Sequence, residues 1–350
     1  MLEDKNPKRT EISELGEFGL IDQITKDIKT YHPSTIKGVG DDTAVIDSGE
    51  KYMLVTKDLL LENIHFDLTY YPLRHLGYKA IVVNLSDIYA MNGTPRQVIV
   101  GLGLSSRFPL EAVEELYAGM KLACEKYKVD LVGGDTTSSK QGLVLSVTAI
   151  GDVEKDKVVY RGPAKEKELL CVSGDLGGAY AGLLVLEREK AEYTANPDMQ
   201  PNLEDYDYIL ERQLKPEARP DVIAILKEKK VVPTAMIDVS DGLASEIKHI
   251  CKHSGLGCTV YEEKIPIDLQ TYDTARSFDM DPTMYALNGG EDYELLFTIQ
   301  QEDFEKIKEV KQISVIGFMT EESAGVNLIT KSGPVVEIKA QGWDHLKAEE

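Results

Sequence analysis

Apolar residues recur along the chain at helical spacing in some stretches and at strand spacing in others, and the two rhythms alternate from end to end. The first predicts a helix over 17–30, with Leu20, Ile21, Ile24 and Ile28 on one face. Strands follow over 43–47 and 52–56, then a long helix over 72–91 with Pro72 near its start. A strand over 97–104, an amphipathic helix over 110–127, a short buried strand over 129–132 and an alternating strand over 143–151 complete the first half. Residues 158–168 are polar and turn-rich around Arg161-Gly162-Pro163, which places a domain boundary there. Beyond it the pattern predicts a strand over 169–172, a helix over 177–189 and a polar loop within 187–203. Helices over 206–214 and 220–229 come next, then a strand over 234–237 and a helix over 243–254 closed by Gly255. Strands over 295–299, 314–318, 326–330 and 335–339 end the series. Strands and helices mix in both halves, so the class is α/β (α+β). The expected organisation is a flexible tail over 1–15 and two domains, 16–160 and 161–350.

Composition narrows the function classes. The chain has 350 residues, 42% of them hydrophobic, enough to bury two cores. Its formal net charge of -21 argues against a nucleic-acid or anionic-membrane partner. An anionic substrate would need bridging metal ions or a local basic patch. The four cysteines, Cys124, Cys171, Cys251 and Cys258, form no CxxC pair and match no zinc spacing. They read as reduced structural thiols of a cytoplasmic protein. No 18-residue apolar run is present, and residues 1–10 lack the apolar core of a signal peptide.

Against this background, five acidic motifs stand beside glycines or small polar residues. They are Gly38-Val39-Gly40-Asp41-Asp42, Asn84-Leu85-Ser86-Asp87, Gly133-Gly134-Asp135-Thr136-Thr137, Asp238-Val239-Ser240-Asp241-Gly242 and Gly289-Gly290-Glu291-Asp292-Tyr293. On the helix over 72–91, Asp87 continues the apolar stripe of Leu76, Ala80 and Val83, so a buried carboxylate is expected there. Burial of an unpaired carboxylate costs several kcal/mol, and Asp87 therefore needs a strong partner. Each motif alone also fits a salt bridge, a solvated loop or a helix cap. Together, at the ends of apolar elements, they are explained more economically by one shared site. Mg²⁺ takes one or two carboxylates per ion plus phosphate oxygens. The sequence has no GxxxxGK[ST] loop, no GxGxxG between a strand and a helix, and no EF-hand spacing. A nucleotide would then be held through metals more than through a phosphate cradle. His65, Arg161 at the boundary and Trp343 near the end are further candidates for ligand contact, each with a structural alternative.

In their order, these motifs make the chain similar to thiamine-monophosphate kinases, from about Gly16 to His345. The strongest pieces are the Gly38 motif, the run from Lys79 to Ile88, Gly133-Gly134-Asp135-Thr136, the run from Ile237 to Leu243, and the run from Gly289 to Leu295. The resemblance implies the two-domain fold shared with aminoimidazole ribonucleotide synthetase and selenophosphate synthetase, with N-terminal sheets pairing in a homodimer. It implies ATP and several Mg²⁺ ions, and conversion of thiamine monophosphate to thiamine diphosphate. By that likeness Asp42, Thr56, Asp58, Asp87, Asp135, Asp238 and Asp241 look like metal ligands. Gly134, Asp135, Arg161 and Ser240 look like ATP contacts, and His65, Glu291 and Trp343 look like contacts to thiamine monophosphate. No residue stands out as a general base.

One departure bears on chemistry. The family usually carries Thr or Ser immediately before the acid at Asp58, and here Lys57 stands there. An ammonium aimed into the site would compete with Mg²⁺, while one aimed outward would not. Asn63, where Gly is common, is milder. The alternatives are another ATP-dependent enzyme of the same fold, a nucleotide-binding variant impaired at Lys57, or a non-catalytic acidic protein that binds divalent ions. No Cys precedes Cys124, against a selenophosphate synthetase, and the chain ends Lys347-Ala348-Glu349-Glu350 rather than in a reactive Cys.

Overall fold

A computed structural model describes residues 12–340. The first half contains α1 (Ile12–Thr25), β1 (Thr35–Lys37), β2 (Ala44–Asp47), β3 (Lys51–Leu61), α2 (Leu73–Ala90), β4 (Thr94–Leu104), α3 (Leu110–Tyr127), β5 (Asp130–Ser138) and β6 (Val144–Glu154). Its six strands form one mixed sheet in the order β1-β2-β3-β6-β4-β5. All pairs are antiparallel except β4 and β5. Strand β6 alternates strictly: Leu145, Val147, Ala149, Gly151 and Val153 are buried, while Val144, Ser146, Thr148, Ile150 and Asp152 are not. The buried face packs on α2, which in turn packs on α3. The two helices cross closely because each presents a glycine. A Cβ on Gly77 would lie 1.9 Å from the Leu116 carbonyl oxygen, and one on Gly119 would lie 1.8 Å from that of Arg74.

The second half contains β7 (Leu169–Ser173), α4 (Gly178–Ala195), α5 (Asp207–Leu214), α6 (Pro220–Glu228), β8 (Ala235–Asp238), α7 (Leu243–Ser254), β9 (Leu256–Tyr261), α8 (Leu269–Ser277), α9 (Pro282–Asn288), β10 (Leu295–Ile299), α10 (Phe304–Ile307), β11 (Ile313–Glu321), β12 (Val326–Ile329) and β13 (Val335–Glu337). Seven strands form a second mixed sheet in the order β13-β12-β9-β11-β7-β10-β8. Strand β10 is buried at all five positions, as expected for a strand covered on both faces.

The halves are tied where α2 meets β8 and where residues 213–218 cross the first domain. Tyr71 Oη donates to the carbonyls of Gln213 and Leu214 at 3.0 and 2.9 Å. Tyr78 and Tyr127 both donate to Glu217 Oε2, at 2.7 and 2.5 Å.

Several sequence expectations need correction. Helix α1 stops at Thr25 and bends at Gly16, and Ile24 and Ile28 are 64% and 62% exposed, so the expected apolar face covers no core in the single chain. Helix α2 is not amphipathic: every residue from Leu76 to Ala90 is buried except Asp87. It lies between a sheet, a second helix and the other domain, so no face is left for solvent. The expected short buried strand over 129–132 is the nine-residue edge strand β5, largely exposed. Only Val129 and part of Leu131 face the core, which is why the apolar signal was brief. Helix α4 runs on to Ala195, shortening the expected loop, and β9, α8 and α9 are elements that the apolar pattern does not signal.

Candidate active site at the domain interface

Three of the acidic motifs converge. Asp42 lies in the turn before β2, Asp87 near the end of α2, and Asp238 at the last position of β8. A carboxylate oxygen of each lies within 4.8 Å of the others, so the group joins both domains. Strand β3 adds two more residues from one of its faces. Thr56 Oγ1 donates to Asp87 Oδ2 at 2.5 Å, and the Asp58 amide is fixed by Asn84 Oδ1 at 3.0 Å. Asn84 is held in turn by the Ala80 carbonyl at 3.1 Å, which locks the β3 backbone to α2.

Crowded acids in a desolvated cleft resist ionisation. Burial pushes Asp42 up to about 6, against the pull of Arg161. Burial likewise raises Asp58 to about 6. Asp238 rises to about 8 through burial and then the charge of Asp42. Asp87 keeps an opening to the cleft, yet loss of hydration and the charges of Asp58, Asp238 and Asp42 hold it well above the usual carboxylate range. Such a set is stabilised by added positive charge. Arg161 supplies part of it: Nε and Nη2 both donate to Asp42 Oδ1, at 3.0 and 2.6 Å. The other oxygen, Asp42 Oδ2, is buried with no hydrogen-bond partner among the described residues. A buried, unpartnered carboxylate oxygen beside two more carboxylates fits a hard divalent cation.

The turn after β8 and the segment before β10 run side by side. The Glu291 amide donates to the Ser240 carbonyl at 2.6 Å, and the Tyr293 amide donates to that of Val239 at 2.8 Å. This brings Ser240 and Glu291 to the same edge of the interface. Asp241 does not cap α7, whose N-cap is Gly242. Instead, the Asp241 amide donates to Glu246 Oε1 at 3.0 Å. Glu246, 2% exposed, is a carboxylate of this region that the motifs did not flag; burial and the charge of Asp241 raise it well above its ordinary range. Its only sequence signal is an acid among the apolar residues at the start of a helix.

The remaining candidates are dispersed. His65 Nδ1 accepts from the Leu61 amide at 3.1 Å, so one ring nitrogen is engaged at the end of β3. Gly134 and Asp135 lie on the exposed edge strand β5, outside the three-acid group. By strand register Asp135 pairs with Gly101, Gly101 with Ser146, and Ser146 with Leu59. Asp135 therefore shares the sheet face of Lys57 and Leu59, opposite Thr56 and Asp58. The Gly133 motif, whose Gly-Gly after the short apolar run predicts a turn, is strand throughout. Lys57 is exposed and points away from the acidic group, because successive residues of a strand face opposite sides. Trp343 lies outside the described residues. A cavity of about 410 Å³ opens beside Arg161, with Ile36, Tyr160 and Pro163 as apolar walls and Lys37, Asp41 and His253 as polar ones.

Comparison with known proteins agrees with this architecture. Residues 40–153 match the family described as AIR synthase related protein, N-terminal domain, and residues 165–326 match the corresponding C-terminal domain. The chain is 35% identical over 335 residues to the thiamine-monophosphate kinase of Aquifex aeolicus, covering 95% of this chain and 99% of that one. It is 33% identical to that of Bacillus subtilis, covering 95% and 100%. The solved structure of AaThiL complexed with AMPPCP and TMP superimposes with a TM-score of 0.82 at 34% identity, covering 96% and 99%. With likeness of this degree over nearly the full length of both chains, the chain belongs to the thiamine-monophosphate kinase family.

Proposed function

We propose that this chain transfers the γ-phosphoryl group of ATP to thiamine monophosphate, giving thiamine diphosphate and ADP. The observation that carries this is the three-acid group at the domain interface, with its unpartnered Asp42 oxygen, in a chain 34% identical to a protein solved with AMPPCP and TMP. Asp42, Asp87 and Asp238, with Thr56, Asp58 and Asp241 around them, would hold Mg²⁺. When bound, Mg²⁺ neutralises phosphate charge and orients the oxygens of ATP.

The chain's own residues account for the rest. The acceptor phosphate of thiamine monophosphate is already anionic, so an in-line attack on the γ-phosphorus needs no general base. That suits a site made of metal-binding acids, with catalysis by positioning and charge neutralisation. Arg161, poised on Asp42, is placed to exchange that carboxylate for a phosphate oxygen, and Ser240 lines the same edge. Glu291 and His65 are assigned to thiamine monophosphate.

We extend the proposal to a homodimer. Among the described residues nothing covers the face of the first sheet opposite α2, with Leu59, Ile99 and Val132 exposed, and none pairs with the outer edge of β5. Exposed apolar strands of this kind call for a partner, and a second copy supplies a matching sheet. Asp135 lies on that face, so its role toward ATP and metal would depend on the dimer, whereas Gly134 pairs with the buried Val100 on the α2 side.

Incubation with ATP, Mg²⁺ and thiamine monophosphate, followed by chromatography for thiamine diphosphate and ADP, tests the reaction. Metal-dependent appearance of both products is expected; ATP binding without product would overturn it. Analytical ultracentrifugation tests the dimer, and a monomer at micromolar concentration would remove it.

A further inference from the structure

Lys79 is a lysine in the middle of a buried helix. It sits on α2, is 1% exposed, and its ammonium group lies 5.6 Å from the centre of the Tyr71 ring. Burying a lysine this fully requires a strong partner. Its partner lies in the other domain: Nζ donates to Glu291 Oε2 at 2.7 Å. Gln213 Nε2, from α5, donates to the same oxygen at 3.1 Å. Glu291 itself has a left-handed backbone, φ 59, and its amide is bound to the Ser240 carbonyl. Three elements thus fix this residue: α2 and α5 hold its carboxylate, and the turn after β8 holds its backbone.

The pair is asymmetric. Lys79 is enclosed, whereas 29% of the Glu291 side chain remains exposed. Full burial of both ions would add the desolvation cost of the second one. Here the cation is buried behind the carboxylate, which stays open. Both donors converge on Oε2, leaving the other oxygen able to accept from a ligand.

We propose that Lys79 is a positioning residue for thiamine monophosphate, acting through Glu291. It holds the carboxylate in one rotamer at the cleft and makes that rotamer depend on closure of the second domain against α2. This rests on the assignment of Glu291 to the thiamine monophosphate site.

The test compares Lys79→Met, Glu291→Gln and the double variant in steady-state kinetics with each substrate varied in turn. Lys79→Met should raise KM for thiamine monophosphate about tenfold, with KM for ATP within about twofold and kcat within about threefold. The double variant should be no worse than Glu291→Gln alone, since both changes remove one coupled unit. Multiplying effects in the double variant would overturn the proposal, as would a parallel rise in both KM values with a lowered melting temperature, which would mark Lys79 as a domain clamp. If Glu291→Gln leaves KM for thiamine monophosphate unchanged, the assignment of Glu291 falls and the proposal with it. If Glu291→Gln is impaired and Lys79→Met is not, only the proposal falls. Should Lys79→Met fail to fold, Gln213→Leu removes the second donor to Oε2. A rise of about threefold in the same KM is then expected, and no change would overturn the proposal.

Discussion

Two groups of acids in this molecule meet opposite treatment. Within the second domain, Asp292 and Glu294 are 1% exposed and thoroughly paired. Asp292 accepts from the Gly177 amide at 2.7 Å at the start of α4 and lies 3.3 Å from Arg212. Glu294 accepts from Ser173 Oγ, from Arg212 at 3.0 Å and from Arg219. At the domain interface, Asp42, Asp87 and Asp238 crowd one another, with Arg161 bound to a single oxygen of Asp42. The first arrangement satisfies its charges internally and holds the fold. The second leaves carboxylates crowded without enough positive partners, which stable folds avoid unless a ligand supplies the balance.

This contrast can be broken most forcefully in the paired group. Glu294→Gln leaves Arg212 and Arg219 facing each other without their shared carboxylate. Denaturant unfolding should show a loss of about 3–5 kcal/mol. An equal loss in Asp87→Asn would erase the distinction between the groups.

The next largest effect is on turnover. Asp87→Asn should lower kcat/KM at least about 100-fold, or about 2.7 kcal/mol of transition-state stabilisation. Its melting temperature should hold or rise, because a like charge leaves the cluster. Near-normal turnover would remove Asp87 from the site. Excess Mg²⁺ without nucleotide should raise the melting temperature of the parent protein by several degrees, and Asp87→Asn should respond less. Equal shifts in the two would place the cation elsewhere. The smallest effect sharpens the boundary of the site: Lys57→Thr should change kcat/KM less than about twofold, since Lys57 and Asp58 face opposite sides of β3. A tenfold gain would show that the ammonium does reach the metals.

Much of the interface group was legible in the sequence, and the misses have a common physical origin. Asp238 ends an apolar strand, Asp42 precedes one and Asp87 lies in the last turn of an apolar helix, and local pattern reports such ends. The partners of Glu246 and Lys79 have no local signal, because an isolated charge within a helix looks like solvated surface until the packing around it is known. The Gly133 motif resembled a turn because Gly-Gly usually marks one. In the fold a Cβ on Gly134 would lie 1.9 Å from the Val100 carbonyl oxygen, so that glycine permits close pairing with β4 instead.

By itself, the sequence determined the alternation of strands and helices, the positions of the acids at element ends and, through the order of the motifs, the family. These follow from periodicity and local backbone preference, which act over a few residues. Only the tertiary structure decided which acids meet, which are neutralised by arginine and which face of β3 carries Lys57. Those outcomes depend on contacts such as Lys79 with Glu291, more than 200 residues apart, and on burial that no local pattern encodes.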